Sequence, residues 1–153
     1  MDRRGQQHRL TVQQESLPDW WDEGRPLFEA NAAEVETDPL AISQLFYYSK
    51  DRDGSLLSLT ARWAGALVGY AIFQLLSPAH HATTKVAMCD TIYVSPAYRG
   101  RAALMLIQEA ERIATAIGMH KIVWTVKVDH DWSKVLLRRG YQPTEKILTR
   151  RLR

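Results

Sequence analysis

The chain has 153 residues, enough for one domain that buries about 70% of the surface its unfolded form exposes. Apolar residues make up 46% and charged residues 24%, ordinary for a globular domain, and the longest apolar runs are too short or too interrupted to span a bilayer. The net charge of +3 comes from the ends: Met1–Arg9 carries +2 and Lys146–Arg153 carries +4, which leaves −3 for the middle and no basic face for a nucleic acid.

A single cysteine, Cys89, excludes an intrachain disulfide and fits a reducing cytoplasm. The polar stretch Met1–Gln14 has no basic-then-apolar leader. His8–Glu15 predicts a first strand. Leu17–Val35 predicts a helix that Pro26 kinks or restarts. Asp38-Pro39 reads as a helix start with Leu40–Ser49 following, and Asp51-Arg52-Asp53-Gly54 as a turn.

Leu56–Trp63 and Ala66–Leu76 are apolar runs joined at Ala64-Gly65, a hairpin pattern. Gly69 inside the second run marks a bulge or a close backbone approach. A polar loop, Ser77–Thr83, carries His80 and His81, and Thr84–Val94 predicts the next strand. A helix from about Gly100 to Ile117 places Ala103, Leu106, Ile107, Ala110, Ile113, Ala114 and Ile117 on one face. Lys121–Val128 then alternates as a strand, Asp131–Arg139 is a short helix ended by Gly140, and Glu145–Leu152 is a last strand. The order β-αα-βββ-α-β-α-β is that of one mixed α/β domain over residues 1–153. Residues 8–55 supply the first strand and two helices, 56–118 the central strands and the following helix, and 119–153 a strand-helix-strand.

The stretch Val94–Glu111, VSPAYRGRAALMLIQEAE, runs from a strand through a proline turn into that helix. Free N–H groups at a helix start, backed by the helix dipole and two arginines, suit a phosphate. Phosphate loops usually hold several glycines, whereas this one has Gly100 alone, with Ala102 and Ala103 after it. Glycine is needed only where φ is positive or the ligand comes too close for a Cβ, and both alanines fall inside the first helical turn. Asp90 is an acid in an otherwise apolar strand, which requires a partner or a purpose.

Four pieces in this order resemble the GCN5-related N-acetyltransferases, the acyl-CoA-dependent GNAT superfamily. They are the hairpin ARWAGALVGYAIF, the stretch DTIYVSPAYRGRAALMLIQEAE, the strand GMHKIVWTV and the closing LLRRGYQ, which together span about Leu56 to Leu152. Arg99–Glu111 is similar to the Arg-Gly-Arg-x-Gly-x-x-Leu-Ile version found in bacteriophage and bacterial genomes, and so implies the cytoplasm of a bacterium or a phage-infected cell. The resemblance implies a mostly antiparallel twisted sheet, splayed between its fourth and fifth strands and flanked by helices. It also implies an enzyme that moves an acetyl group from acetyl-CoA to a primary amine by direct attack in a ternary complex.

By the same resemblance, the amides of Arg99, Gly100, Arg101, Ala102, Ala103 and Leu104 hold the pyrophosphate, with the guanidinium of Arg99 or Arg101. Tyr98 stands beside them, and the backbone of Ile92, Tyr93 and Val94 meets the pantetheine and polarises the carbonyl. Asp90 is a candidate general base, either directly or through water, with a structural carboxylate that caps loop amides as its alternative reading, and the loop residue His81 is the other candidate base. Trp20, Trp21, Glu23 and Trp124 are candidates for the acceptor surface, with a core aromatic as the alternative reading of Trp124. Of the adjacent tryptophans, one faces the core and one the site. The tyrosine that many members place four residues before the Gly-aromatic pair is replaced here by Leu136, which cannot donate a proton. The acceptor is an amine on a small molecule or a protein. No membrane or metal is called for, and the resemblance allows a homodimer. The competing readings are a noncatalytic protein of the same fold, motivated by Leu136 and the alanines, and a small basic nucleic-acid binder, motivated by the arginine-rich ends.

Overall fold

The computed structural model describes residues 9–153, so His8 of the expected first strand lies outside the described residues. Five strands form one sheet in the order β1-β2-β3-β4-β5, with β1 Leu10–Gln14, β2 Leu56–Trp63, β3 Ala66–Leu76, β4 Val86–Val94 and β5 Lys121–Val123. The first four strands are antiparallel neighbours and β5 joins β4 in parallel, giving the predicted mixed α/β architecture. Helices α1 (Leu17–Val35) and α2 (Gln44–Arg52) cover one face. Helix α3 (Arg101–Ala116) covers the other, and α4 (Lys134–Arg138) follows β5. No helix among the described residues is long and apolar enough to cross a membrane.

Helix α3 owes its position to its apolar stripe: Ala102, Leu106, Ile107, Ala110, Ile113 and Ala114 are all buried, most of them against Leu57, Leu59, Ala71 and Phe73 of the sheet. On the opposite face Trp20, Phe28 and Tyr70 stack with ring centroids 5.0–5.6 Å apart. The Trp20 indole N–H donates to the buried Ser58 hydroxyl at 2.9 Å. Each such fully buried large side chain contributes about 1.5–3 kcal/mol.

Four elements differ from the sequence expectation. Helix α1 runs unbroken through Pro26, because the carbonyl left unpaired by the missing N–H belongs to Asp22, and both residues face water. Helix α2 begins at Gln44, not Leu40, because the Ser43 side chain accepts the Phe46 N–H and caps it there. It ends at Arg52, so only Asp53-Gly54 forms the turn. The strand expected over Lys121–Val128 stops at Val123, where its pairing with β4 ends. The last strand, Glu145–Leu152, does not form: the segment is exposed and unpaired, and its adjacent Ile147 and Leu148 would have to point to opposite faces of a sheet.

Gly69 combines both roles foreseen for it. The β2–β3 register slips one residue beside it, and a Cβ there would sit 2.9 Å from the Tyr93 carbonyl oxygen of β4.

A methyl at Gly24 would lie 2.6 Å from the Trp20 ring, which is fixed by its Ser58 hydrogen bond. Gly24→Ala gains about 1 kcal/mol in an exposed helix. Here overpacking outweighs that gain, and a net loss of about 1–2 kcal/mol is expected, read as a Tm lowered by several degrees in calorimetry.

Beyond α4, Glu111 of α3 accepts hydrogen bonds from Arg139 and from the Tyr141 hydroxyl, each at 3.0 Å. The Arg139 contact holds the Glu111 carboxyl below its ordinary 4.5. A folded value below the unfolded one gives stability that is present above the unfolded value and lost as pH falls through the folded one. Thermal melts from pH about 6 down to about 3 should therefore show a shallower decline in Glu111→Gln than in the parent.

Candidate active site

The site begins with one extra residue in β4. Ala87 and Cys89 face the α3-side core, and so do Ile92 and Val94, which reverses the odd-even alternation between them. The reversal is a β-bulge: Thr91 pairs with Ile72 and Cys89 with Phe73, so Asp90 has no partner residue on β3. Asp90 and Thr91 consequently both turn toward α1 and α2. Thr91 Oγ1 accepts from the Asn31 amide of α1 at 3.1 Å. Asp90 Oδ1 accepts from the Gln74 amide of β3 at 3.1 Å, and Oδ2 accepts from the Tyr47 hydroxyl of α2. The carboxylate is otherwise exposed. Burial, and then the Asp90 charge, push the Tyr47 hydroxyl well above the ordinary tyrosine range, so it remains a donor at all working pH values.

The bulge also sets where the sheet opens. β4 and β5 pair only over Val86–Met88 against Lys121–Val123, and from Cys89 onward β4 has no strand on that side. The open edge leads to the loop Ser95–Gly100. Gly100 has φ +87°, a left-handed conformation that costs glycine little, and it caps α3. The N–H of Leu104 is taken by the Gly100 carbonyl at 3.0 Å. The N–H groups of Gly100, Arg101, Ala102 and Ala103 have no acceptor among the described residues, which leaves four adjacent donors at a helix start. The Ala102 methyl is fully buried toward the sheet and does not obstruct them.

The two arginines are not equivalent. Arg99 Nε donates to the Val94 carbonyl at 2.9 Å, its Nη2 pairs with Glu34 of α1 at 2.5 Å, and its guanidinium lies 5.6 Å from the Tyr93 ring centroid. Glu34 in turn meets His130 at 2.7 Å, and the neighbouring Glu36 pairs with Lys127 at 2.8 Å. These contacts strap the segment after β5 to the end of α1. Arg101 is exposed and has no side-chain partner among the described residues.

Residues 15–141 match the profile of the Acetyltransferase (GNAT) family. The chain belongs to that family. GNAT enzymes are acetyltransferases that use acetyl-CoA as donor. No curated protein matches the chain by sequence. Among solved structures it is similar to a predicted acetyltransferase from Clostridium acetobutylicum with acetyl-CoA (TM-score 0.73, 14% identity, 94% of this chain and 97% of that one). It is also similar to the ribosomal-protein-alanine N-acetyltransferase of Brucella melitensis (0.70, 23%, 94% and 99%). A third similar structure is an aminoglycoside acetyltransferase from an uncultured soil metagenomic sample, in complex with sisomicin (0.71, 14%, 94% and 95%).

The remaining residues expected from the GNAT resemblance fall into two groups. Asp90, the Ile92–Val94 edge and the Gly100 loop come together along β4. The expected acceptor residues do not join them. Trp20 and Trp21 are both buried, so neither faces outward: Trp20 stacks under the sheet, while Trp21 packs on Phe28, Tyr47 and Tyr48. The Asp51 carboxylate accepts from the Ser16 hydroxyl and the Leu17 N–H and so ties the start of α1 to the end of α2. Glu23 is a structural ion-pair partner of Arg62, 2.8 Å away. Trp124 stacks on Phe73, Trp132 and Tyr141 on the α3 side, away from α2.

Tyr98 packs against Trp63 with ring centroids 5.8 Å apart and serves as a wedge under the loop. His81 sits exposed in a 3-10 turn, Ala79–His81, beyond the Val86 end of β4 and about 13 Å of strand from Asp90. Its side chain makes no hydrogen bond or ion pair. Leu136 of α4 is buried. The large surface groove, about 750 Å³ and lined by Gln14, Asp53, Leu75, Ile117 and Met119 among others, lies at the far end of α3 from Gly100 and is not the cofactor cleft.

Sequence reasoning missed Tyr47, Gln74 and Glu34. Gln74 had a readable sign, as the one polar side chain within the apolar run Ala66–Leu76. Tyr47 and Glu34 meet residues more than 40 positions away and left no local trace.

Arg101→Ala should leave the Tm unchanged, because it removes no contact within the described residues, and a phosphate contact at Arg101 would show as acetyl-CoA binding weakened by roughly tenfold. Arg99→Ala should lower the Tm as well, because it frees Val94 and Glu34. Calorimetric titration and thermal melts on both variants check the division.

Proposed function

We propose that the chain transfers the acetyl group of acetyl-CoA to a primary amine by direct attack in a ternary complex, with Asp90 as general base. The observation that carries this reading is the placement of Asp90. It is a solvent-facing carboxylate at the point where β4 parts from β5, on the α1–α2 side. An amine arrives at neutral pH as an ammonium ion and must lose a proton before it can attack. Asp90 attracts that cation and takes its proton directly or through one water.

The site fits the cofactor on chemistry the structure carries. Four unpaired N–H groups and a free Arg101 match a pyrophosphate, and the unpaired β4 edge matches an amide-bearing chain laid alongside it. Acetyl-CoA supplies an activated acetyl thioester. The residues proposed to hold it are the Gly100–Ala103 amides, Arg101 and the backbone of Ile92, Tyr93 and Val94. Arg99 and Tyr98 act on the loop and reach the cofactor only by shaping it. Leu104 is withdrawn from the amide set because its N–H closes the first helical bond.

For the acceptor, the neighbour in complex with sisomicin supports a small polyamine-like molecule. The likeness to the ribosomal-protein-alanine enzyme supports a protein N-terminus. An open carboxylate serves either.

Acetyl-CoA is expected to raise the Tm. Thiol release should exceed buffer background with at least one of sisomicin, spermidine and an alanine-initiated peptide, and Asp90→Asn should cut that rate by at least a hundredfold. Undiminished turnover in Asp90→Asn would remove Asp90 from the mechanism.

A further inference from the structure

Asp90 reaches its place by an irregularity, and a bulged residue has no ladder partner to fix its side chain. Being exposed, the carboxylate is not wedged by packing either. What holds it is two hydrogen bonds from separate elements, one to each oxygen: the Tyr47 hydroxyl on Oδ2 and the Gln74 amide on Oδ1. Each donor is itself fixed. Tyr47 lies 6.2 Å, ring to ring, from the buried Trp21 and 5.5 Å from Phe46. Gln74 stands on β3 in register with Met88, immediately beside the bulge.

We infer that Tyr47 and Gln74 are positioning residues that aim the Asp90 carboxylate at the acceptor amine. The inference rests on the reading of Asp90 as general base. A carboxylate oxygen has about two lone-pair sites. With one taken on each oxygen by a chain donor, the others remain directed at solvent, where an ammonium or a bridging water can use them. Two anchors also stop the group from rotating, and a general base works only within hydrogen-bond reach of the proton it removes. Tyr47 suits the role because its hydroxyl donates throughout the working pH range and so cannot compete for the acceptor's proton. It also ties α2, a helix with no fully buried residue, to the reacting strand.

The same Asn31–Tyr70–Thr91 contacts that brace the other bulge residue leave Asp90 untouched, which keeps the two functions separate. Thr91 is held from α1 and fixes the backbone. Asp90 is held from α2 and β3 and fixes the carboxylate.

The test uses Tyr47→Phe, which keeps the ring, together with Gln74→Leu and Asp90→Asn. With whichever of sisomicin, spermidine or the alanine-initiated peptide gives turnover, Tyr47→Phe should lower kcat about tenfold at unchanged acetyl-CoA KM. In the Asp90→Asn background it should have no further effect, because a residue acting through Asp90 has nothing left to aim. Crystals of the Tyr47→Phe/Gln74→Leu variant provide a readout that needs no acceptor, and the Asp90 side chain should there leave its present orientation or lose definition. An unmoved Asp90 in those crystals overturns the inference, and so does parental activity in Tyr47→Phe or an additive loss in the double variant with Asp90→Asn. Full activity of Asp90→Asn removes the base reading itself and this inference with it. An inactive Asp90→Asn beside an unaffected Tyr47→Phe removes the inference alone.

Discussion

One inserted residue governs the functional half of this molecule. A regular β4 would continue the alternation of Ala87 and Cys89, placing Thr91 in the α3-side core and turning Ile92 and Val94 out of it. The bulge at Asp90 instead keeps both apolar pairs on the core side, and it brings a charged residue to the other face without burying it. It coincides with the end of β4–β5 pairing, so the place where the sheet opens and the place where the carboxylate emerges are the same place. The cost is a gap in the ladder, and the Asn31–Thr91 and Tyr47–Asp90 bonds offset part of it.

The phosphate-type loop shows how few glycines such a loop needs. Gly100 supplies the single left-handed residue. Past it the backbone is already helical, and the Ala102 methyl contributes to the core. A glycine there would lower helix propensity and remove buried apolar surface. Of the two arginines that flank Gly100, one has become a structural strut between β4, α1 and the loop, and the other is left for solvent or a ligand.

Periodicity made the central architecture legible. The α3 stripe and the β2–β3 hairpin follow from it directly, and the Gly69 close approach was readable from a lone glycine in an apolar run. The short reach of β5 was not legible, because Trp124, Val126 and Val128 keep a strand pattern after their partner has turned away. Glu145–Leu152 fails as a strand for a related reason: strand propensity is decided by what a residue packs against, and this exposed segment pairs with no strand and meets the body through the Arg151–Asp38 ion pair. Within the site, the loop and Asp90 stood out as local anomalies. The donors around Asp90 did not, since a hydrogen bond across 43 residues leaves no mark on either local sequence.

Helix α2 has a consequence beyond the chemistry. It buries no residue fully, and polar bonds anchor it at two points, Asp51 to the start of α1 and Tyr47 to β4. Substitutions on its outer surface, where Leu45 and Phe46 are exposed, therefore cost the core almost nothing. The outward side of α2, at Leu45 above all, is a cheaply variable shelf on a stable body, where new side chains can appear without the fold first having to be restabilised, while Tyr47 and Tyr48 on its inner side keep it seated.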